Sequence, residues 1–228
     1  MYTIWPEEGC SGAGMVEPRE TLKSFFSSWG PEPTGRIQGI CCDIGNPYVD
    51  TINSHAPHAV LVFDKFHIIR RLMDAFDAVR RDEISEKGKD HKELVAHTRY
   101  IWLKNPWNLT DNQKARLRML EKLNLKIFRA YLLKESFREF WSYTTRDCAE
   151  QFLKHWFWLA THSRLKPMSD YTWLLRSNQR SILNYFDVPL TNATVEGLNN
   201  KAKKSVIKHM DIVPSVPLYS ICIMVWLI

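Results

Sequence analysis

Two carboxylates stand out by their local settings. Asp43 closes the apolar run Ile37-Gln38-Gly39-Ile40-Cys41-Cys42 and is soon followed by Asn46-Pro47-Tyr48. Glu196 lies early in the amide-rich stretch Thr191-Asn192-Ala193-Thr194-Val195-Glu196-Gly197-Leu198-Asn199-Asn200-Lys201. The first reads as an acid at a strand end, the second as an acid in the first turn of a helix. Hard divalent cations such as Mg2+ take carboxylate oxygens, and rigid elements hold such ligands best. A magnesium-dependent nuclease or strand-transferase collects its metal ligands in this way. Each acid also has a plainer reading. Asp43 can begin a turn or cap the next helix, and Glu196 can offset a helix dipole. A third acid in a comparable setting is missing.

A further cluster, Asp64-Lys65-Phe66-His67, follows the apolar run Ala59–Phe63. At a strand-to-helix step this carboxylate and imidazole can share a metal, a proton or a hydrogen bond. They can equally serve as helix cap and first-turn residue. Beyond Glu196, the residues Asn199, Asn200, Lys201, Lys203 and Lys204 make a polar, basic helix face. Such a face suits phosphate contacts or solvent. Trp102, Trp107, Trp141, Trp156, Trp158 and Trp173 recur at helical spacing. They read as core before base-stacking platforms. No glycine-rich phosphate loop, G-x-S-x-G or H-E-x-x-H occurs.

The elements that must position these groups are visible as periodicities. Glu20–Trp29 predicts a short helix ended by Gly30-Pro31, Arg36–Asp43 a buried strand, Pro47–His55 a helix and Ala59–Phe63 a second strand. That order makes a β-α-β unit. From His67 the pattern turns helical: Ile68, Ile69, Leu72, Met73, Phe76 and Val79 form one stripe, with Gly88 expected to end it. Thr110 or Asp111 should cap a helix to Leu123. A longer helix should carry Ile127, Tyr131, Phe137, Phe140 and Trp141, and Cys148–Thr161 and Tyr171–Phe186 should follow. The expected organisation is an irregular segment 1–18, a partial α/β core 19–66, an all-helical stretch 67–186, a returning helix 187–207 with Glu196, and an apolar tail 208–228.

With 228 residues, one or two domains with sizeable cores are possible. The net charge of +6 and a pI near 9.0 favour an anionic partner, nucleic acid first. Five cysteines without a C-x-x-C pair argue against a zinc ribbon and for free thiols in a reducing compartment. The N-terminus lacks the pattern of a signal peptide. The apolar run Val216–Ile228 is shorter than the roughly 20 residues that span a bilayer, so no membrane partner is expected.

Read in order, these pieces resemble one family. Cys41-Cys42-Asp43-Ile44-Gly45-Asn46-Pro47-Tyr48, Phe63-Asp64-Lys65-Phe66-His67, Thr98-Arg99-Tyr100 with Leu103-Lys104-Asn105-Pro106, and Leu190-Thr191-Asn192 with Glu196-Gly197-Leu198-Asn199-Asn200-Lys201 are similar to the DDE domain of bacterial insertion-sequence transposases of the ISL-three family. The resemblance covers about residues 19–207. It implies an α-rich α/β fold, an RNase H-like core interrupted by an all-helical insertion. It implies Mg2+ (or Mn2+) held by Asp43 as the second acidic ligand and Glu196 as the third, with Asp64 and His67 as site support. Asn199, Asn200, Lys201, Lys203 and Lys204 would contact DNA. The implied partners are insertion-sequence ends, target DNA, a second copy or an intact transposase, in a bacterial cytoplasm at the nucleoid. A non-enzymatic DNA-binding or transposase-interacting helical protein is the alternative.

Two departures qualify the match. Family members carry the first catalytic Asp on an early strand, whereas Glu7, Glu8 and Glu17 lie in no apolar run. The chain is therefore expected to be truncated at its N-terminus, impaired in catalysis and left with an open sheet edge. Its tail from Lys208-His209-Met210 diverges from the family, as a frameshift would produce.

Overall fold

The run Ile37–Cys42 buries every residue except Gln38, the mark of a strand covered on both faces. In the computed structural model, the described residues are 2–3, 18–44, 46–95, 98, 101–102, 104, 106–123, 125–188 and 224–227. By their contacts they form two units, one comprising the chain up to Ile68 and from Arg180, the other Ile69–Gln179.

The first unit is built on a four-stranded mixed sheet. Its strands are β1 (Tyr2–Thr3), β2 (Ile37–Cys42), β3 (Val60–Phe63) and β4 (Met224–Leu227), in spatial order β1-β4-β2-β3. Strands β2 and β3 run parallel, from Gly39 opposite Val60 to Cys42 opposite Phe63. On its other side β2 pairs antiparallel with β4, Ile40 opposite Val225. Part of the apolar tail thus pairs with β2 as a sheet strand. A short apolar run does not reveal such a role, because its pairing is made with residues far away in sequence. Helices α1 (Pro18–Trp29) and α3 (Asn46–His55) pack together through Phe26, whose ring stacks on His55 at 4.9 Å. Between α1 and β2 the sequence breaker Pro31 starts the short helix α2 (Pro31–Gly35), because Gly30, at φ 80°, makes the turn into it.

Helix α4 (Lys65–Val95) leaves this unit and enters the second. It runs through Gly88 instead of ending there. A single glycine costs a helix about 1 kcal/mol, which the surrounding helix formers outweigh. Further α-helices among the described residues are α5 (Asp111–Glu121), α6 (Lys126–Arg138), α7 (Arg146–His162), α8 (Lys166–Ser177) and α9 (Gln179–Asp187). Thr110 and Gln113 make the capping box that starts α5. The single helix expected over Tyr171–Phe186 is divided at Asn178, whose side-chain amide donates to the Leu174 carbonyl at 2.8 Å. The core of the second unit is aromatic, with Phe137 at 4.9 Å from Trp156 and 5.5 Å from Phe140. Trp102 and Trp156 are buried here as expected, but Trp107, Trp158 and Trp173 are 56–70% exposed. No described helix is long and apolar enough to cross a membrane.

Candidate metal centre

Parallel pairing of Cys42 with Phe63 sets the residues that follow each strand side by side. They are Asp43 and Asp64. The Asp64 N–H donates to the Cys42 carbonyl at 2.9 Å, extending the ladder by one step. Carboxyl ends of parallel strands are where ligands collect in open α/β sheets. Asp64 also begins α4, since its carbonyl accepts the Ile68 N–H at 3.2 Å. One turn on, His67 places Nδ1 at 2.9 Å from Asp64 Oδ2 and 2.9 Å from Asp43 Oδ1. A single N–H cannot serve both acids fully. It donates to Asp64 Oδ2, and Asp43 Oδ1 remains an ion contact without hydrogen-bond geometry.

The Asp64 side chain is fully buried, whereas Asp43 is 36% and His67 25% exposed, so the cluster opens to solvent past these two. Contact with Asp43, then Asp64, pushes the His67 pKa up to about 9 against the opposing effect of burial. Burial, reinforced by the charges of Asp43 and Asp64, holds the Cys42 thiol protonated. Thiolate chemistry at this position is therefore disfavoured. Burial and then the Asp43 charge also raise the Tyr48 phenol.

This donor set fits a hard divalent ion. Asp43 Oδ1 and Asp64 Oδ1 are buried and have no hydrogen-bond partner. One ligand atom from each of Asp43, Asp64 and His67 lies within 4.8 Å of the others. Two carboxylates facing one imidazolium leave net negative charge, and orphaned buried acceptors are rare enough to need an explanation.

Of the residues singled out from sequence, Asp43, Asp64 and His67 therefore come together. Glu196, Asn199, Asn200, Lys201, Lys203 and Lys204 lie outside the described residues. Sequence reasoning missed Lys65 and Tyr185. The Lys65 ammonium sits 3.4 Å from the Tyr185 hydroxyl and over the rings of Phe66, at 5.5 Å, and Tyr185, at 5.6 Å. Phe66 gave one signal: it falls outside the Ile68-Leu72-Phe76 stripe, and it is 46% exposed. A cleft of about 830 Å³ lined by Arg36, Gln38, His58 and Val188 opens at the other ends of β2 and β3, away from the acids.

A family model described as a transposase, of the ISL3 DDE type, matches residues 16–209. The transposase for insertion sequence element IS1001 of Bordetella parapertussis is 29% identical over 199 residues, 86% of this chain and 48% of the relative. The transposase for insertion sequence element IS1557 of Mycobacterium tuberculosis is 24% identical over 208 residues, 81% of this chain and 47% of the relative. The chain thus spans about half the length of the curated relatives it matches. No solved structure matches it.

Proposed function

The chain belongs to the ISL-three type of DDE transposases, and from that membership we propose that it forms an RNase H-like DNA strand-transfer core in which Asp43 and Glu196 hold Mg2+ or Mn2+. The observation that carries the reading is Asp43 at the carboxyl end of β2, whose buried Oδ1 has no hydrogen bond and meets His67 as an ion contact, beside a second carboxylate. Both Asp43 and Glu196 fall within the matched residues 16–209. Divalent ions in such sites activate a water or 3′-hydroxyl and stabilise the leaving oxygen of a phosphodiester.

The chain's own residues have separate tasks in this reading. Asp43 presents carboxylate oxygens at a rigid strand end, and His67 holds the acid pair in place. Asn199, Asn200, Lys201, Lys203 and Lys204 contact the DNA backbone, where lysines supply salt-sensitive affinity. Residues 67–186 are the helical insertion. The DNA is an insertion-sequence end and its target, and a second copy or an intact transposase is the protein partner. Because no acid ahead of Arg19 lies in an apolar run, the chain alone is proposed to cut DNA slowly.

Plasmid nicking in Mn2+ tests this. Slow nicking that disappears in both Asp43→Asn and Glu196→Gln is the expected result. Undiminished nicking in both variants would remove the assignment, and fast cleavage by the chain alone would contradict the impairment.

One observation favours a second reading, a DNA-binding helical module. The exposed rings of Trp107 and Trp173 lie beside the Arg138 and Arg176 guanidinium groups at 4.7 and 5.0 Å, and the exposed Trp158 stacks on the His162 ring at 4.6 Å. Aromatic rings flanked by cations suit stacking on unpaired bases. Salt-dependent DNA association that ignores metal, without any nicking, would support this reading over the first.

A further inference from the structure

The family resemblance gives Asp64 the role of support, but its surroundings ask for more. Orienting His67 occupies only Oδ2. The other oxygen, Oδ1, has no hydrogen-bond partner on a side chain with no exposed surface. Orientation of the imidazole thus explains one half of this carboxylate and leaves the other half unexplained. A buried anionic oxygen without a donor is strongly disfavoured unless a cation reaches it. The strand register supplies the geometry for that cation. Because Cys42 pairs with Phe63, Asp43 and Asp64 leave adjacent parallel strands at the same level. Ligand atoms of Asp43, Asp64 and His67 all fall within 4.8 Å of one another. Asp43, 36% exposed, is the side from which an ion can enter.

We propose that Asp64 is itself a metal ligand, sharing one divalent cation of the Mg2+ or Mn2+ class with Asp43 through the strand-end carboxylate pair. The inference rests on the reading of Asp43 as a ligand and adds to it. The site then does not depend on a distant acid for its second carboxylate, and the chain holds one ion even where it cuts DNA slowly. His67 steadies Asp64 Oδ2 from the helix side and leaves Oδ1 for the ion.

Two measurements on the full chain test this. In crystals soaked with Mn2+, the anomalous peak should lie within bonding distance of oxygens from both Asp43 and Asp64. A peak on Asp43 alone would overturn the role given to Asp64 and leave the Asp43 reading standing. No peak at either acid would overturn both. The second measurement separates ligation from orientation of His67, because changing a residue that only supports a ligand can also weaken binding 10–100-fold. Calorimetric Mn2+ titration should show that Asp64→Asn weakens binding about tenfold or more in the His67→Ala background as well as in the unaltered chain. If Asp64→Asn has no further effect once His67 is gone, the acid acts only through the imidazole and the proposal fails.

Discussion

His67 lies between two acids, and its charge reports on both. Its pKa is raised from 6.5 to about 9, with Asp43 the largest cause. Without metal, Asp43→Asn should bring the His67 pKa down towards its ordinary range, as followed by NMR of the ring protons. An unchanged titration would show that the Asp43 contact is not made in solution. Because the folded-state value is the higher one, the ion contacts contribute stability fully below about pH 6.5 and lose it as pH rises through about 9. Denaturant midpoints should therefore fall over that window, and fall less in Asp43→Asn. At this scale the sequence was half informative. An acid after each apolar run was legible at Asp43 and Asp64. Their adjacency was not, because it depends on which residues of β2 and β3 pair, and parallel register is set by packing far along the chain.

The helices illustrate a different limit. Helix α6 begins at Lys126, and its N-cap residue Leu125 offers no side-chain cap. Its first N–H groups are met by Glu83 of α4, which accepts from Lys126 N at 2.9 Å and Ile127 N at 2.7 Å. A carboxylate there also opposes the positive end of the helix. Hydrogen bonds to charged groups are worth about 1.5–3 kcal/mol each, so Glu83→Ala should destabilise the chain by about 3 kcal/mol and Glu83→Gln by less. Equilibrium denaturation measures this, and a loss within about 0.5 kcal/mol, typical of surface substitutions, would mean the cap is dispensable. Local signals such as the Thr110 and Gln113 box were readable, whereas Glu83 looked like any acid on a helix because its partners come from another element. The same holds for Asn184, whose amide donates to the Leu61 carbonyl at 2.8 Å on the outer side of β3. Helix ends failed where only propensity was available, at Gly88 and at Asn178.

At the scale of the molecule, the chain divides into a discontinuous unit around the sheet and a continuous helical one, Ile69–Gln179. The second has its own aromatic core around Phe137, Trp156 and Tyr171. A fragment covering residues 65–178 should therefore fold alone, with a helical circular dichroism spectrum and one cooperative thermal transition. A non-cooperative melt would show that the helices need the sheet. The sheet unit gathers the acids, and the account stands or falls on what they hold. The most direct test is Mn2+ titration of the full chain followed by electron paramagnetic resonance. An ion bound by the unaltered protein should be lost in Asp43→Asn and held more weakly in Glu196→Gln, where the Asp43 and Asp64 pair still retains it, whereas identical binding in all three proteins would contradict the assignment.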